Sequence, residues 1–522
     1  MLIVETLLIL MGFCVVLAVL ARLAGIPYAV ALILGGIAIA FIPGLPRVRL
    51  DPEIALAFFL PPLLVSSAFR TDWTAFRRNI RTILLLAVGC VVFTAFAIGA
   101  VARMMIPDMP WAAAIALGAI LAPPDAVAAS AVLKRVRLPR TLVTVLEGES
   151  LINDASSLVI YRFAVAAMAV GSIAPAEAVG TFFLVGVGGI AVGYAMAWLA
   201  LWIIARLNET LLETTLTFLG AFATYFVAEA LHLSGVLAVV TAGIMFGQAQ
   251  HRVFSARTRL ESVFVWEFIE FVMTSLIFIL IGLQLRGILD RLDEYSGWSL
   301  LGLAVTISLA LIASRFLWIL PAMWLPRRIH SLARHIEPPP LTHTIALSWA
   351  GMRGVVSLAA ALALPFDFPQ RDIIIFLSFC AILATLVAQG TTLEWVIKRL
   401  GLAMPQHPHG IDPEEAKARL IGAQAARDAI QARADDVLYG PIARDLLGDF
   451  KDRAAHLERI SKGGGAAAAE RAARRALRLE ALDAARAAIR EYRHRQGLPE
   501  ELLVRLGHEF DYEESRLRQA LG

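Results

Sequence analysis

Charge is the scarcest commodity in this sequence. Only 17% of its 522 residues are Asp, Glu, Lys or Arg, against about 25% in an average soluble domain. That excludes a water-soluble globule for most of the chain. Cysteine is nearly absent as well. Cys14, Cys90 and Cys380 fall inside apolar runs with no paired spacing, which excludes a disulfide framework or a thiolate metal site and leaves three small core residues. The formal net charge of +4 is too small for this length to suggest nucleic acid as a partner. The first apolar run, 2–20, lacks a basic n-region and a small-residue cleavage site, so it reads as a retained helix. In the tail, Gly463-Gly464-Gly465 has no strand before it and no Walker lysine after it, which removes a nucleotide-binding reading.

What the chain has instead is apolar length. Hydrophobic residues make up 58% of it and the mean hydropathy is +0.71. The apolar residues gather into runs near the roughly 20 needed to cross a bilayer. These runs predict an all-α membrane protein with about thirteen spans, over 2–22, 28–44, 52–69, 81–103, 110–133, 140–169, 176–205, 213–231, 233–249, 262–286, 298–323, 341–365 and 372–399. With the N-terminus outside, the inside loops carry 16 Lys and Arg and the outside loops 6. This is the asymmetry of the positive-inside rule. Among the inside charges are Arg70, Arg77, Arg78, Lys134, Arg135, Arg137, Arg327, Arg328 and Arg334; Arg47 and Arg49 are outside. The lipid bilayer is therefore an expected partner.

Charge density changes near residue 403. Residues 403–522 hold 20 acidic and 20 basic residues, and Leu482, Ala485 and Ile489 recur at helical spacing. The division expected is a transmembrane domain, 1–402, and a soluble helical cytoplasmic tail, 403–522, broken at Gly463–Gly465 and again at Gly497–Pro499.

Three places inside the spans carry polar groups where they are expensive, since a charge at the bilayer centre costs at least about 2.5–3.5 kcal/mol. The first is Ala122-Pro123-Pro124-Asp125 in span five. Two prolines remove two backbone donors and unwind the segment. Alone they would fit an ordinary kink, but Asp125 beside them points to a cation site built from helix ends and free carbonyls. The second is Glu149-Ser150-Leu151-Ile152-Asn153-Asp154 in span six. Ser150 and Asp154 share a helix face, with Glu149 and Asn153 as a parallel pair behind them. Oxygen ligands of this kind suit hard cations. A solvated first turn does not explain Asp154, which lies roughly 20 Å along the helix from Arg140. The third is Gly351-Met352-Arg353-Gly354 in span twelve. Arg353 there either offsets the acidic cluster and the helix dipoles or makes a structural ion pair. Spans five and twelve are both interrupted, which is the pattern of an inverted-repeat transporter. Glu229, Glu267, Glu270 and Arg315 are further intramembrane charges whose partners the sequence does not disclose, and His232 reads as a core or interfacial histidine.

These segments resemble the monovalent cation/proton antiporter family that contains the NhaP-type bacterial antiporters and the eukaryotic sodium/proton exchangers. The residues that carry the resemblance are Gly148-Glu149-Ser150-Leu151-Ile152-Asn153-Asp154-Ala155, Phe59-Leu60-Pro61-Pro62-Leu63-Leu64, Ala228-Glu229-Ala230-Leu231-His232-Leu233-Ser234-Gly235 and Gly351-Met352-Arg353-Gly354. The resemblance runs through most of 5–400 and does not cover the tail. It implies a dimerisation domain and a core domain in which spans five and twelve cross where they are unwound. It implies that Asp154 binds cation or proton, that Ser150 and Asp125 assist, and that Glu149 and Asn153 stabilise the site. Asn153, where electrogenic relatives carry a second Asp, implies electroneutral exchange. One departure stands out: the family's Thr-Asp-Pro is Pro124-Asp125-Ala126 here, so the carbonyl usually given by Thr would come from Pro124.

The expectation is thus a secondary transporter, not an enzyme, in the plasma membrane (the inner membrane of a bacterium) and dimeric, serving pH and sodium homeostasis. It would exchange Na+, or alternatively Li+ or K+, for H+, with no cofactor. Asp154 holds either a proton or a dehydrated cation, and competition between the two makes exchange depend on pH. A membrane-embedded hydrolase using Asp125 and Asp154 as acid and base lacks any accompanying protease signature. An organic-anion carrier or a channel would want basic residues or a filter, for which Arg353 alone speaks.

Overall fold

A computed structural model describes residues 2–42, 52–125, 136, 138–170, 175–207, 209–292, 295–324, 340–403, 413–436, 439–461, 465–496 and 500–519. The chain divides into two compact units, Met1–Met404 and Pro405–Gly522. Among the described residues all regular structure is helical.

In the first unit the helices are α1 (Leu2–Ala24), α2 (Tyr28–Ala40), α3 (Pro52–Arg70), α4 (Trp73–Arg78), α5 (Ile80–Met105) and α6 (Trp111–Leu121). They continue as α7 (Arg140–Val170), α8 (Pro175–Leu207), α9 (Thr210–Ala230), α10 (Gly235–Val253), α11 (Ala256–Leu289) and α12 (Gly297–Trp324). The unit closes with α13 (Leu341–Trp349), α14 (Val355–Leu362) and α15 (Arg371–Arg399). Among the described residues seven helices are long and apolar enough to cross a membrane, the longest being α11 at 34 residues. The expected spans overlap helices of this unit, the twelfth the broken pair α13 and α14, but spans one, two, three, five and nine fall on helices outside those seven. The second half of span five and the loops holding Arg47, Arg49, Lys134, Arg135, Arg137, Arg327, Arg328 and Arg334 lie outside the described residues.

Two features were not read from the sequence. The short helix α4 sits where a plain loop was expected; Asp72 caps it by accepting from the Thr74 and Ala75 N–H groups at 2.9 and 3.0 Å. This satisfies donors that would otherwise be orphaned at a helix start. Inside α5, Leu85–Cys90 is wound as a π-helix. Such widenings loosen the regular backbone ladder, and here the Leu85 carbonyl accepts from the Trp318 indole at 3.2 Å.

Close packing without water comes from small residues, as membrane helices require. Gly36 of α2 and Gly282 of α11 face each other with Cα of one 2.8 Å from the ideal Cβ position of the other. Any side chain there would push the two backbones apart. The α9–α10 turn is tight: His232 is exposed and takes a left-handed φ of 58°, and Ser234 caps α10 by accepting from Leu237 N at 3.2 Å.

The second unit holds α16 (Pro413–Gln431), α17 (Gly440–Ser461), α18 (Gly465–Gln496) and α19 (Glu500–Gln519). Of the expected break at Gly463–Gly465, Gly465 already opens α18, while 463–464 and the second break, 497–499, lie outside the described residues. Its core is made of small or single residues: Ala423, Ala443 and Leu447 in one helix pair, and Leu482 and Leu517 in the other. Arg486 of α18 joins Glu514 and Asp511 of α19. Hydrogen bonds from Arg486 and then Arg518 hold the Glu514 carboxyl below its ordinary value of 4.5. A depressed carboxyl stabilises the fold above its ordinary value and loses that contribution as pH falls through the folded-state value. Protection factors of α19 amides, which divide out the intrinsic exchange rate, should therefore be highest at neutral pH and fall below about pH 4.5. Glu514→Gln should show the lower protection at neutral pH already.

Candidate functional site

The site begins with backbone that a membrane cannot leave unpaired. Helix α6 ends at Leu121, and residues 122–125 continue without helical bonds because Pro123 and Pro124 have no N–H to give. Helices α13 and α14 are likewise separated by the non-helical segment 350–354. The two breaks meet. Asp125 N donates to the Met352 carbonyl at 2.7 Å, so each irregular segment satisfies part of the other. This is how non-helical backbone is tolerated at membrane depth.

Both glycines of Gly351-Met352-Arg353-Gly354 are explained by contact. A Cβ on Gly354 would overlap the Asp125 carboxylate, and one on Gly351 would overlap the Arg315 side chain and crowd Arg353. Arg353 is wholly buried. Its Nε donates to the Leu121 carbonyl at 2.6 Å, its Nη1 to the Gly351 carbonyl, and its backbone N–H to Thr385 Oγ1 of α15 at 3.1 Å. The guanidinium thus sits at the C-terminal ends of α6 and α13, where the helix dipoles are negative and the last carbonyls lack partners. Of the two roles open for Arg353, the dipole role is the one the contacts show.

The polar stretch of α7 splits its work between two faces. Asn153 Nδ2 donates to the Pro124 carbonyl at 3.2 Å, tying α7 to the break after α6. The carbonyl that would replace the usual Thr ligand is therefore already engaged on one side. Glu149 makes no bond to Asn153. It forms a bidentate pair with Arg315 of α12, Nη1 to Oε1 at 2.7 Å and Nη2 to Oε2 at 3.1 Å, with both side chains 1% exposed. Arg315 Nη2 also donates to the Leu347 carbonyl at 3.0 Å. Sequence reasoning noticed Arg315 but could not pair it. A single buried base needs a single buried acid, yet 166 residues separate the two and periodicity carries no information across that distance.

On the other face Ser150 and Asp154 line a cavity of about 60 Å³ together with Asp125, room for more than one water-sized occupant. Leu60, Leu63 and Leu64 of α3 and Phe278 of α11 close it on the apolar side. Asp154 is buried, at 7% exposure. Thr274 of α11 and Ser357 of α14 also line the cavity, and their hydroxyls find no protein partner. Both escaped the sequence reading, because a lone hydroxyl in an apolar helix carries no spacing signal. The other intramembrane acids lie elsewhere: Glu229 pairs with Arg162 at 2.9 Å, and Glu270 with Arg70. Two carboxylates and several hydroxyls around one small, water-poor cavity can hold a dehydrated hard cation or a proton, and cannot favour both at once.

Comparison with known proteins agrees with this arrangement. A family model described as "Sodium/hydrogen exchanger, transmembrane" matches residues 9–399. An uncharacterized Na+/H+ exchanger of Mycobacterium tuberculosis is 34% identical over 509 residues, covering 94% of this chain and 91% of that protein. A sodium, potassium, lithium and rubidium/H+ antiporter of Bacillus subtilis is 34% identical over 370 residues, 68% of this chain and 55% of the relative. The structure of the sodium proton antiporter MjNhaP1 of Methanocaldococcus jannaschii superposes with a TM-score of 0.62 at 22% identity, over 76% of this chain and 98% of that one. At that identity the likeness is one of fold.

Breaking one partner of a buried ion pair leaves an uncompensated charge and costs about 3–5 kcal/mol. Arg315→Ala and Glu149→Gln should each lower the midpoint of thermal unfolding in detergent sharply. The double variant Arg315→Met/Glu149→Leu should unfold later than either. Gly354→Ala should leave the purified protein folded, since the three nearest atoms its Cβ would meet all belong to the Asp125 side chain, while reducing exchange at least tenfold in proteoliposomes by displacing that group, a change of about 1.4 kcal/mol.

Proposed function

The chain belongs to the sodium/hydrogen exchanger family, and from that premise we propose that it exchanges a monovalent cation for protons at the cavity shared by Asp154, Asp125 and Ser150. The observation that carries the proposal is the convergence of these three side chains on one cavity where the non-helical segments 122–125 and 350–354 meet. Asp154 carries the cation or the proton. Asp125, held where its N–H meets the Met352 carbonyl, assists, and Ser150 adds a hydroxyl from the same face of α7. Glu149, Asn153 and Arg353 support the site from outside its lining, and Pro124 supports it from the cavity wall.

Exchange follows from competition. The empty, charged form of a buried carboxylate is costly to carry through a membrane, so the site crosses only when occupied by a cation or a proton. Electroneutral exchange of one cation per proton fits the residue beside Asp154: Asn153 has no charge to titrate and its amide is tied to Pro124. Na+ is the favoured cargo. A broader range that includes K+ and Li+ is the second reading, supported by the name of the Bacillus subtilis relative, since the same oxygens serve all three ions.

The spans fit thirteen crossings in the plasma membrane, N-terminus outside, with the second unit as a cytoplasmic helical domain of regulatory use. A homodimer is the assembly we expect, with the first unit supplying the contact. Regulation of internal pH and sodium is the physiological task this chemistry serves.

Proteoliposomes holding a pH gradient test the proposal. Added NaCl should dissipate the gradient, while choline chloride should not. Asp154→Asn should abolish the response to every cation, and exchange at full rate in that variant would overturn the proposal. Because proton and cation compete, the apparent KM for Na+ should rise as pH falls while the maximal rate changes little. Parallel runs with LiCl and KCl decide the cation.

A further inference from the structure

A second and larger cavity, of about 540 Å³, borders the same helices α3 and α11 as the site. Ser66 and Arg70 line it from α3, and Val263 and Trp266 from α11. On the same two helices Ser67 and Thr274 line the small cavity of Asp125 and Asp154. The two linings therefore abut on α3, at Ser66 and Ser67, and lie about two turns apart on α11, between Trp266 and Thr274. Glu270 lies midway along that stretch of α11. Its carboxylate accepts from Ser66 Oγ at 3.0 Å and pairs with Arg70. The Glu270 side chain is 13% exposed and that of Arg70 is 42% exposed, so the guanidinium covers the carboxylate from the water side.

The arginine of this pair is solvated at 42% exposure, so the pair contributes little to stability and its guanidinium can leave into water. A carboxylate with hydroxyls beside it is also the oxygen set that a hard, partly dehydrated cation seeks. We propose that Glu270 is a relay for the transported monovalent cation between the wide cavity and the Asp154 site. An incoming cation displaces Arg70 from Glu270, is held by that carboxylate with Ser66, and passes Ser67 into the small cavity. Arg70 then returns to Glu270 and screens the emptied carboxylate. In the orientation given above, the wide cavity faces the cytoplasm, beside the basic segment Arg77 and Arg78.

The relay rests on the antiport reading, and the two can fail separately. Full-length protein is assayed for Na+/H+ exchange in right-side-out and in everted membrane vesicles. Wild type without cation-dependent proton movement would remove the antiport reading itself. With wild type active, Glu270→Gln should raise the apparent KM for Na+ about fivefold, the scale of removing one unit charge from a wet throat. The rise should occur from the wide-cavity face alone, with the maximal rate within about twofold of wild type. Glu270→Asp should restore the affinity. Arg70→Gln, which uncovers the carboxylate, should lower KM from the same face. An unchanged KM in Glu270→Gln, an equal rise from both faces, or a loss confined to the maximal rate would overturn the relay. If Glu270→Gln does not reach the membrane, Arg70→Gln decides: an unchanged or raised KM rejects the proposal.

Discussion

A hydrocarbon interior offers no water to an unpaired backbone group, and the break after α6 leaves such groups in the middle of the protein. The rest of the site is organised around that constraint. The bond from Asp125 N to the Met352 carbonyl lets two broken segments complete each other. Arg353 collects the carbonyls of Leu121 and Gly351, and Asn153 takes that of Pro124. Arg353 and Asn153 thus use a charged and a polar side chain to repair backbone, a task that does not fall to the Asp154 carboxylate. A carboxylate tied into such repair could not alternate between proton and cation.

The buried Glu149–Arg315 pair has a similar logic. It lies one residue before Ser150 on α7 and crosses to α12, which also supplies the contact to the Leu347 carbonyl. A buried pair adds little net stability compared with apolar packing. What it does add is direction: the guanidinium fork fixes the rotation of α7 about its axis, so that Ser150 and Asp154 face the cavity. Glu149 and Asp154 are thus both buried acids on one helix with opposite fates. Glu149 is paired with Arg315, and Asp154 lines the cavity.

Much of this was legible in the amino-acid chain. Scarce charge and apolar length determined a helical membrane protein. The Pro123-Pro124-Asp125 interruption marked a broken helix because proline cannot donate a hydrogen bond. The four-residue spacing of Ser150 and Asp154 put them on one face because an α-helix turns every 3.6 residues. The change in charge density near residue 403 anticipated two compact units, which divide at Met404. All of these are local properties, set by backbone chemistry and helical periodicity. The tertiary structure alone decided which distant groups meet: Glu149 with Arg315, Arg353 with the end of α6, Gly354 against Asp125, and Thr274 and Ser357 at the cavity. Those contacts join residues tens to hundreds of positions apart, and side-chain type fixes only that a partner is needed. Which partner it is follows from how the helices pack.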